Sequence, residues 1–207
     1  MPIARDRKGV LVLVASMGAV MVAGTVAGAV AALSPGGVSD GGTRPYQLVV
    51  PATAAGLPLD RSQTEAYGTV DMELSDYSRQ RYEAELGGDI TGRPVGAVYA
   101  DPADDRLVVF RGLTGSGLSP RKLKRGMARL QREAGLPGVH REVNPGPHGG
   151  SAICTPPAHD IACVSMTSTT IVFIEFAPAE PAETSPIRPE RALEILHGVR
   201  AAVEQPA

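Results

Sequence analysis

The sequence predicts an α+β domain behind an N-terminal transmembrane helix: an antiparallel sheet with helices packed on one of its faces, laid out as two ββα units. Three observations predict it. An uncharged apolar stretch fills residues 10–33. β-rich runs arrive in pairs separated by short turn signals, and two such pairs are each followed by Ser-Pro and a segment of helical periodicity.

The chain has 207 residues, which suits one domain plus an appendage. Its formal net charge of -2 lacks the basic excess of a nucleic-acid binder, so no nucleic-acid partner is expected. With no Trp, 5 Tyr and 3 Phe, it has few aromatic platforms for stacking sugars or bases. The cations are mainly arginine; the lysines are Lys8, Lys122 and Lys124.

Residues 1–9 carry Arg5, Arg7 and Lys8 against Asp6 and read as a cytoplasmic basic tail. Residues 10–33, without a charge, make roughly 36 Å of helix, enough to cross a ~30 Å hydrocarbon core. Such a helix satisfies its own backbone in lipid. The positive flank precedes it, which places the N-terminus in the cytoplasm and the rest outside a cell membrane crossed once. The competing reading is a cleaved secretory signal ending at Ala29-Val30-Ala31, although an apolar core of that length exceeds the usual ~7–15 residues. Residues 34–45, rich in Gly, Ser, Pro and Asp, form a flexible linker. Residues 46–207 are then the extracytoplasmic α+β domain.

Within that domain, residues 46–52 read as a short strand stopped at Pro51, and a helix capped at Ser75 ends at Gly87. Residues 95–100 and 106–111 flank the turn-forming Asp-Pro-Ala-Asp-Asp and form a hairpin. A helix follows with Ser119 as N-cap, Pro120 at its first position and Gly135 as its stop. Leu123, Met127, Leu130 and Ala134 form its buried stripe. Three strands come next, in "GSAICTP", "IACVSM" and "TTIVFIEFA". A last helix carries Ile195, Leu196, Val199 and Val203 on its inner face. A shift of 66 residues lays the first strand pair, Ser119-Pro120 and helix over the last strand pair, Ser185-Pro186 and helix. That correspondence is the ground for two ββα units.

The two cysteines, Cys154 and Cys163, bound a Pro-rich loop between two of these strands. Outside a membrane, such a pair closes as a structural disulfide. The alternatives are free thiols, or a metal site of Cys154, His159 and Cys163 with His148, which lacks the C-x-x-C spacing of strong zinc motifs. His140, His148 and His159 lie in Pro/Gly-rich loops and His197 on a helix; no two stand at metalloprotease spacing. Asp101, Asp104 and Asp105 share a hairpin tip without the grammar of a calcium loop, so turn chemistry is their reading. Gly115-Ser116-Gly117 is too short for a nucleophile elbow and reads as a turn. No catalytic, cofactor-binding or metal residue is assigned, and no cofactor is expected.

The helix after the first hairpin carries Arg121, Lys122, Lys124, Arg125, Arg129 and Arg132 against Glu133. Arg121, Arg125, Arg129 and Arg132 are the candidate contact residues for a polyanion or an anionic lipid surface. A solvated exterior is the plain alternative.

The "GAVYADP" to "LVVFRG" hairpin, the cysteine-bounded loop, "ACVSMTSTTIVFIEF" and the closing helix with Arg200 together resemble a family of uncharacterised single-span exported proteins of streptomycetes and related actinobacteria. Relatives often carry a tryptophan soon after the second cysteine, where this chain has Val164-Ser165-Met166. The resemblance implies an extracytoplasmic domain behind one membrane helix and brings no activity or site residues.

The expected role is therefore binding, sensory or scaffolding in the cell envelope, not catalysis. Expected partners are the membrane, through residues 10–33, and another envelope membrane protein or an anionic envelope polymer. The alternative is a secreted or tethered hydrolase whose site converges only in three dimensions.

Overall fold

A computed structural model describes residues 45–67, 74–133, 140–155, 162–179 and 187–207. The transmembrane helix at 10–33, the cleavage alternative at 29–31 and nearly all of the linker lie outside the described residues, as do Ala134, Gly135, His159 and Ser185-Pro186. Among the described residues no helix is long and apolar enough to cross a membrane.

The elements in chain order are β1 (Tyr46–Leu48), β2 (Thr53–Ala54), β3 (Leu57–Pro58), α1 (Arg61–Tyr67), α2 (Asp76–Leu86), β4 (Asp89–Ile90), β5 (Val95–Asp101) and β6 (Arg106–Ser116). A 3-10 turn (Pro120–Lys122) leads into α3 (Leu123–Glu133). Then come β7 (Arg141–Val143), β8 (Ser151–Cys154), β9 (Ala162–Met166), β10 (Thr170–Pro178), α4 (Pro189–Val203) and β11 (Glu204–Pro206). The main sheet is antiparallel throughout and runs β5-β6-β10-β9-β8-β7. β4 continues beside the far end of β6, where Asp89 faces Ser116.

The expected hairpin is β5–β6. Asp105 takes a left-handed conformation at its tip (φ 49), which Asp tolerates better than most residues. β6 does not stop at Arg111. It runs on through the Gly-Ser pair expected to turn, because β10 lies along its other edge with Thr170 opposite Thr114. The free edge of β5 is covered: Val98 N donates to Thr64 Oγ1 at 2.9 Å and Val98 O accepts from Asp60 N at 2.8 Å. A protected edge is a poor template for aggregation. The three expected strands of the second half are β8, β9 and β10.

The helices pack on both faces of the sheet, not on one. Ala97, Tyr99, Val108, Phe110, Val172, Ile174 and Phe176 point to one face, which α4 covers with Ile195, Leu196, Val199 and Val203. Ile153, Val164, Met166, Ile171 and Phe173 point to the other, under Leu86 of α2 and Leu123 and Met127 of α3. On that same face, Tyr67 of α1 packs on Val98, Leu107 and Val109. The reason is in the strands: both faces of β6 and β10 are apolar, so a single helical layer leaves one face in water. With α3 and α4 on opposite faces, the two ββα stretches are not related by a twofold axis through the sheet. The 66-residue correspondence is one of element order only.

Helix ends follow local chemistry in part. Ser75 caps α2, its Oγ accepting from Ser78 N at 3.2 Å, and Gly87 (φ 77) ends it. Ser119 makes no side-chain cap bond; its N–H instead donates to Leu86 O at 3.1 Å, tying α3 to the end of α2. The two helices cross at Gly126, where an added Cβ would lie 2.7 Å from Leu86 Cδ2 and 2.8 Å from Glu85 O.

Candidate functional site

Cys154 and Cys163 stand directly opposite each other on β8 and β9 and are joined by a disulfide, with Cα atoms 4.1 Å apart. The next pair exchanges hydrogen bonds: Thr155 N donates to Ala162 O at 2.9 Å, and Ala162 N donates to Thr155 Oγ1 at 3.2 Å. The disulfide therefore occupies a non-hydrogen-bonded cross-strand position, where side chains approach most closely. Both cysteines are buried in the core under α4. Among the described residues, no three His, Cys, Asp or Glu converge as metal ligands.

The most connected polar cluster is one to which sequence reasoning assigned no role. Arg200 and Glu204, one turn apart at the end of α4, are both fully buried. Arg200 Nε donates to Glu204 Oε2 at 2.8 Å. Its Nη1 donates to Gly149 O at 3.2 Å and to Pro145 O. Thr170 Oγ1 donates to Glu204 Oε1 at 2.5 Å. That spends the Thr170 proton, so the 2.8 Å contact between Thr167 Oγ1 and Thr170 Oγ1 has Thr167 as donor. A guanidinium, a carboxylate and two hydroxyls thus form one directional chain in which each bond polarises the next.

That chain straps down the Pro/Gly-rich loop from Asn144 to Gly150. Asn144 Oδ1 accepts from Gly146 N at 2.9 Å, and Gly146 takes φ 86. Its missing Cβ leaves room for His197, whose Cδ2 would lie 2.7 Å from it. His197 Nε2–H donates to Asn144 O at 2.8 Å, an assignment forced because a carbonyl only accepts. His148 packs on Tyr46 with ring centroids 4.7 Å apart. Two of the four histidines thus hold a loop. His140 is a third case: burial, followed by the nearby Lys124 charge, holds its ring below the usual histidine range.

The acidic hairpin tip is committed to α4. Arg191 Nη2 donates to Asp101 Oδ2 at 3.0 Å, and its other nitrogens meet Glu194 at 3.0 Å and Asp104 at 3.7 Å. Asp101 is buried at 1% side-chain exposure, so its carboxylate serves to dock the hairpin. Across the sheet, buried Arg111 meets Glu175 at 3.3 Å. Beside that pair, the Tyr82 phenol is pushed upward, first by burial; Arg111 opposes the shift and Glu175 adds to it.

The basic helix surface is real but not uniform. Arg121, Lys122, Lys124, Arg125, Arg129 and Arg132 are all exposed. Arg129 Nη1 is spent on Glu85 Oε1 of α2 at 3.1 Å, and Lys124 meets Glu142 of β7 at 3.2 Å. Neither Arg125 nor Arg132 has an ion-pair partner among the described residues. The first turns of this helix hold no acidic residue and four cations, Arg121, Lys122, Lys124 and Arg125, the reverse of what the helix dipole favours there. The four arginines therefore do not act as one patch: Arg121 and Arg125 lie at the N-terminal end, Arg129 is paired, and Arg132 stands in the last turn.

No protein-family model, curated protein or solved structure matches this chain.

Proposed function

We propose that the chain is an extracytoplasmic module held at the cell membrane through residues 10–33, with a binding, sensory or scaffolding role in the envelope. The buried cross-strand disulfide Cys154–Cys163 carries this reading. Such bonds persist in oxidising compartments and are rare where glutathione keeps thiols reduced. The uncharged stretch and its positive flank support the same side of the membrane. The buried Arg200 bonds to Glu204 and to backbone, and the buried Asp101 is held by the partly exposed Arg191, which is the chemistry of a scaffold. The exposed cations of α3 are the surface offered to partners.

The test is made on protoplasts and washed membranes of cells expressing the full chain. The expected result is retention after alkaline carbonate, digestion of the domain by protease added outside intact protoplasts, and thiol labelling only after reduction. A domain protected from protease until lysis, or thiols that label without reduction, overturns the reading.

A further inference from the structure

The outer face of α2 carries a groove of about 300 Å³ lined by Tyr77, Gln80, Arg81, Ala84 and Glu85, at the lower end of the volumes that hold small ligands. These positions recur at three- and four-residue spacing, so they form one stripe along the helix. Tyr82 and Leu86 lie on the opposite side. Leu86 is fully buried, and Tyr82 meets the ring of Phe173 edge-on, with centroids 6.0 Å apart. The helix thus turns one tyrosine inward and the other outward. Tyr77 is 67% exposed, against 38% for Val50, the other large hydrophobic side chain left outside among the described residues.

The groove is held in shape by its own side chains. Arg81 Nη1 donates to the Tyr77 hydroxyl at 2.8 Å, and the guanidinium carbon stands 5.5 Å from the ring centroid, a cation–π contact that fixes the ring. One turn on, Glu85 is held by Arg129 of α3 at 3.1 Å, which also offsets its charge. Ala84 adds only a methyl group to the stripe and keeps the floor low. Groups already ordered lose less entropy when a ligand arrives.

The lining selects the occupant. An apolar partner helix laid here buries Gln80, Arg81 and Glu85 against groups that cannot hydrogen-bond them. An acidic polymer or a nucleic acid meets Arg81 beside a neutralised Glu85–Arg129 pair, not a track of cations. A hexopyranose suits what is there. Its weakly positive C–H face lies on the negative face of an aromatic ring. Its hydroxyls, each both donor and acceptor, pair with a planar amide, a guanidinium and a carboxylate.

From this lining we infer that the outer face of α2 binds a neutral oligosaccharide of hexopyranose units, with Tyr77 as the stacking platform and Gln80, Arg81 and Glu85 as the hydroxyl contacts. The inference gives the binding role proposed above a ligand class, and rests on that reading for where such a glycan is met.

The chain has 5 Tyr, so isotope labelling of tyrosine rings gives a sparse spectrum, and Tyr77→Phe identifies the Tyr77 signals. The full chain in phosphatidylcholine nanodiscs is titrated with cellotetraose and with tetra-N-acetylchitotetraose, which differ in their acetamido groups. The Tyr77 signals are expected to move and saturate in the millimolar range with one sugar or both, while those of the buried Tyr99 stay. Tyr77→Ala is expected to weaken binding about tenfold and Gln80→Ala several-fold, each with the melting curve unchanged, whereas Tyr77→Phe keeps the ring and most of the affinity. Tyr77 signals that stay put in tens of millimolar of both sugars overturn the site, as does binding that Tyr77→Ala leaves intact. Signals that move with protein concentration in the absence of sugar assign the face to a second copy of the chain and overturn it too. Those outcomes, in a chain that resists alkaline carbonate in its membranes, leave the anchoring standing. Extraction by carbonate with sugar binding intact overturns the anchoring and leaves the site.

Discussion

Replacing Arg200 with Met is expected to destabilise the domain far more than an ordinary helix substitution. The change keeps most of the side-chain volume and removes the charge. It leaves Glu204 fully buried, with Thr170 as the one hydroxyl donor still on its carboxylate. Breaking a buried ion pair from one side costs about 3–5 kcal/mol, because the remaining charge has lost its partner but stays out of water. The carbonyls of Pro145 and Gly149 lose their donor as well. Each unmet buried acceptor costs about 1–3 kcal/mol unless its loop lifts into solvent, and the strap from Asn144 to Gly150 is short enough to lift. A loss of about 4 kcal/mol is therefore expected. At roughly 2–4 °C per kcal/mol for a domain of this size, Tm falls by about 8–16 °C.

The double variant Arg200→Met/Glu204→Leu separates charge from packing. With both charges gone the burial penalty disappears, and only Thr170 and the two carbonyls are left unmet. The double is expected to melt above Arg200→Met, with a coupling energy of at least about 2 kcal/mol in the cycle. Circular dichroism melts and urea titrations measure this. Amide exchange at Gly149 and Gln205 reports whether the strap and β11 open together, as their shared partner requires. If Arg200→Met melts within about 3 °C of the parent, or if the cycle is additive, the Arg200–Glu204 unit is not the internal tie described above.

Four further outcomes follow from the same geometry. Cys154→Ala/Cys163→Ala is expected to lose about 2.5–3 kcal/mol from loop closure, read as a Tm fall of roughly 5–12 °C that the reduced parent reproduces. Burial pushes the Tyr99 phenol up to about 12; its folded value is raised, so its contribution is complete below pH ~10 and is lost as pH rises toward about 12. Tyr99→Phe, which gives up the 3.2 Å bond to Pro51 O, is expected to flatten that alkaline limb in pH-dependent melts. His140 is held below its ordinary value of 6.5, so its contribution is present above that pH and lost as pH falls through the folded value; His140→Asn is expected to remove the acid-side slope. Arg125→Glu places a carboxylate in the first turn of α3 and is expected to raise the Tm of the lipid-free protein by about 1–4 °C. A fall there would show that Arg125 supports the fold.

Much of the sheet was legible, and what was not has a physical cause. The hairpin β5–β6 and the strands β8, β9 and β10 declare themselves through β-branched runs bounded by turn residues. The short strand expected in residues 46–52 is β1, whereas β2, β3, β7 and β11 are two or three residues long and exist because a partner is there, so no local pattern marks them. The single-face layout was wrong, yet its correction stood in the sequence. Leu107-Val108-Val109-Phe110 and Ile171-Val172-Phe173-Ile174 show no polar alternation, and an unbroken apolar run is the mark of a strand covered on both sides. Ser119 was chosen as a cap by type, but its N–H is taken by Leu86 O, a contact only the crossing of α2 and α3 creates.

The polar sites divide along the same line. The disulfide was legible because two cysteines and an expected outside location leave few alternatives, and because adjacent strands need only meet in register. Arg200 was legible in principle, since at 100° per residue it falls on the stripe of Leu196 and Val203, and an arginine inside a buried stripe demands a partner. Glu204, four residues on, is the natural candidate. The carbonyls of Pro145 and Gly149, more than fifty residues away, are not, because backbone acceptors carry no sequence signal. The same holds for the basic helix. Composition showed six cations on one element, but which of them are already neutralised depended on Glu85 and Glu142 arriving from α2 and β7. Among the described residues Arg125 and Arg132 keep no ion-pair partner, and they stand at opposite ends of α3. That separation, which no count of arginines contains, divides the basic face into two short stretches.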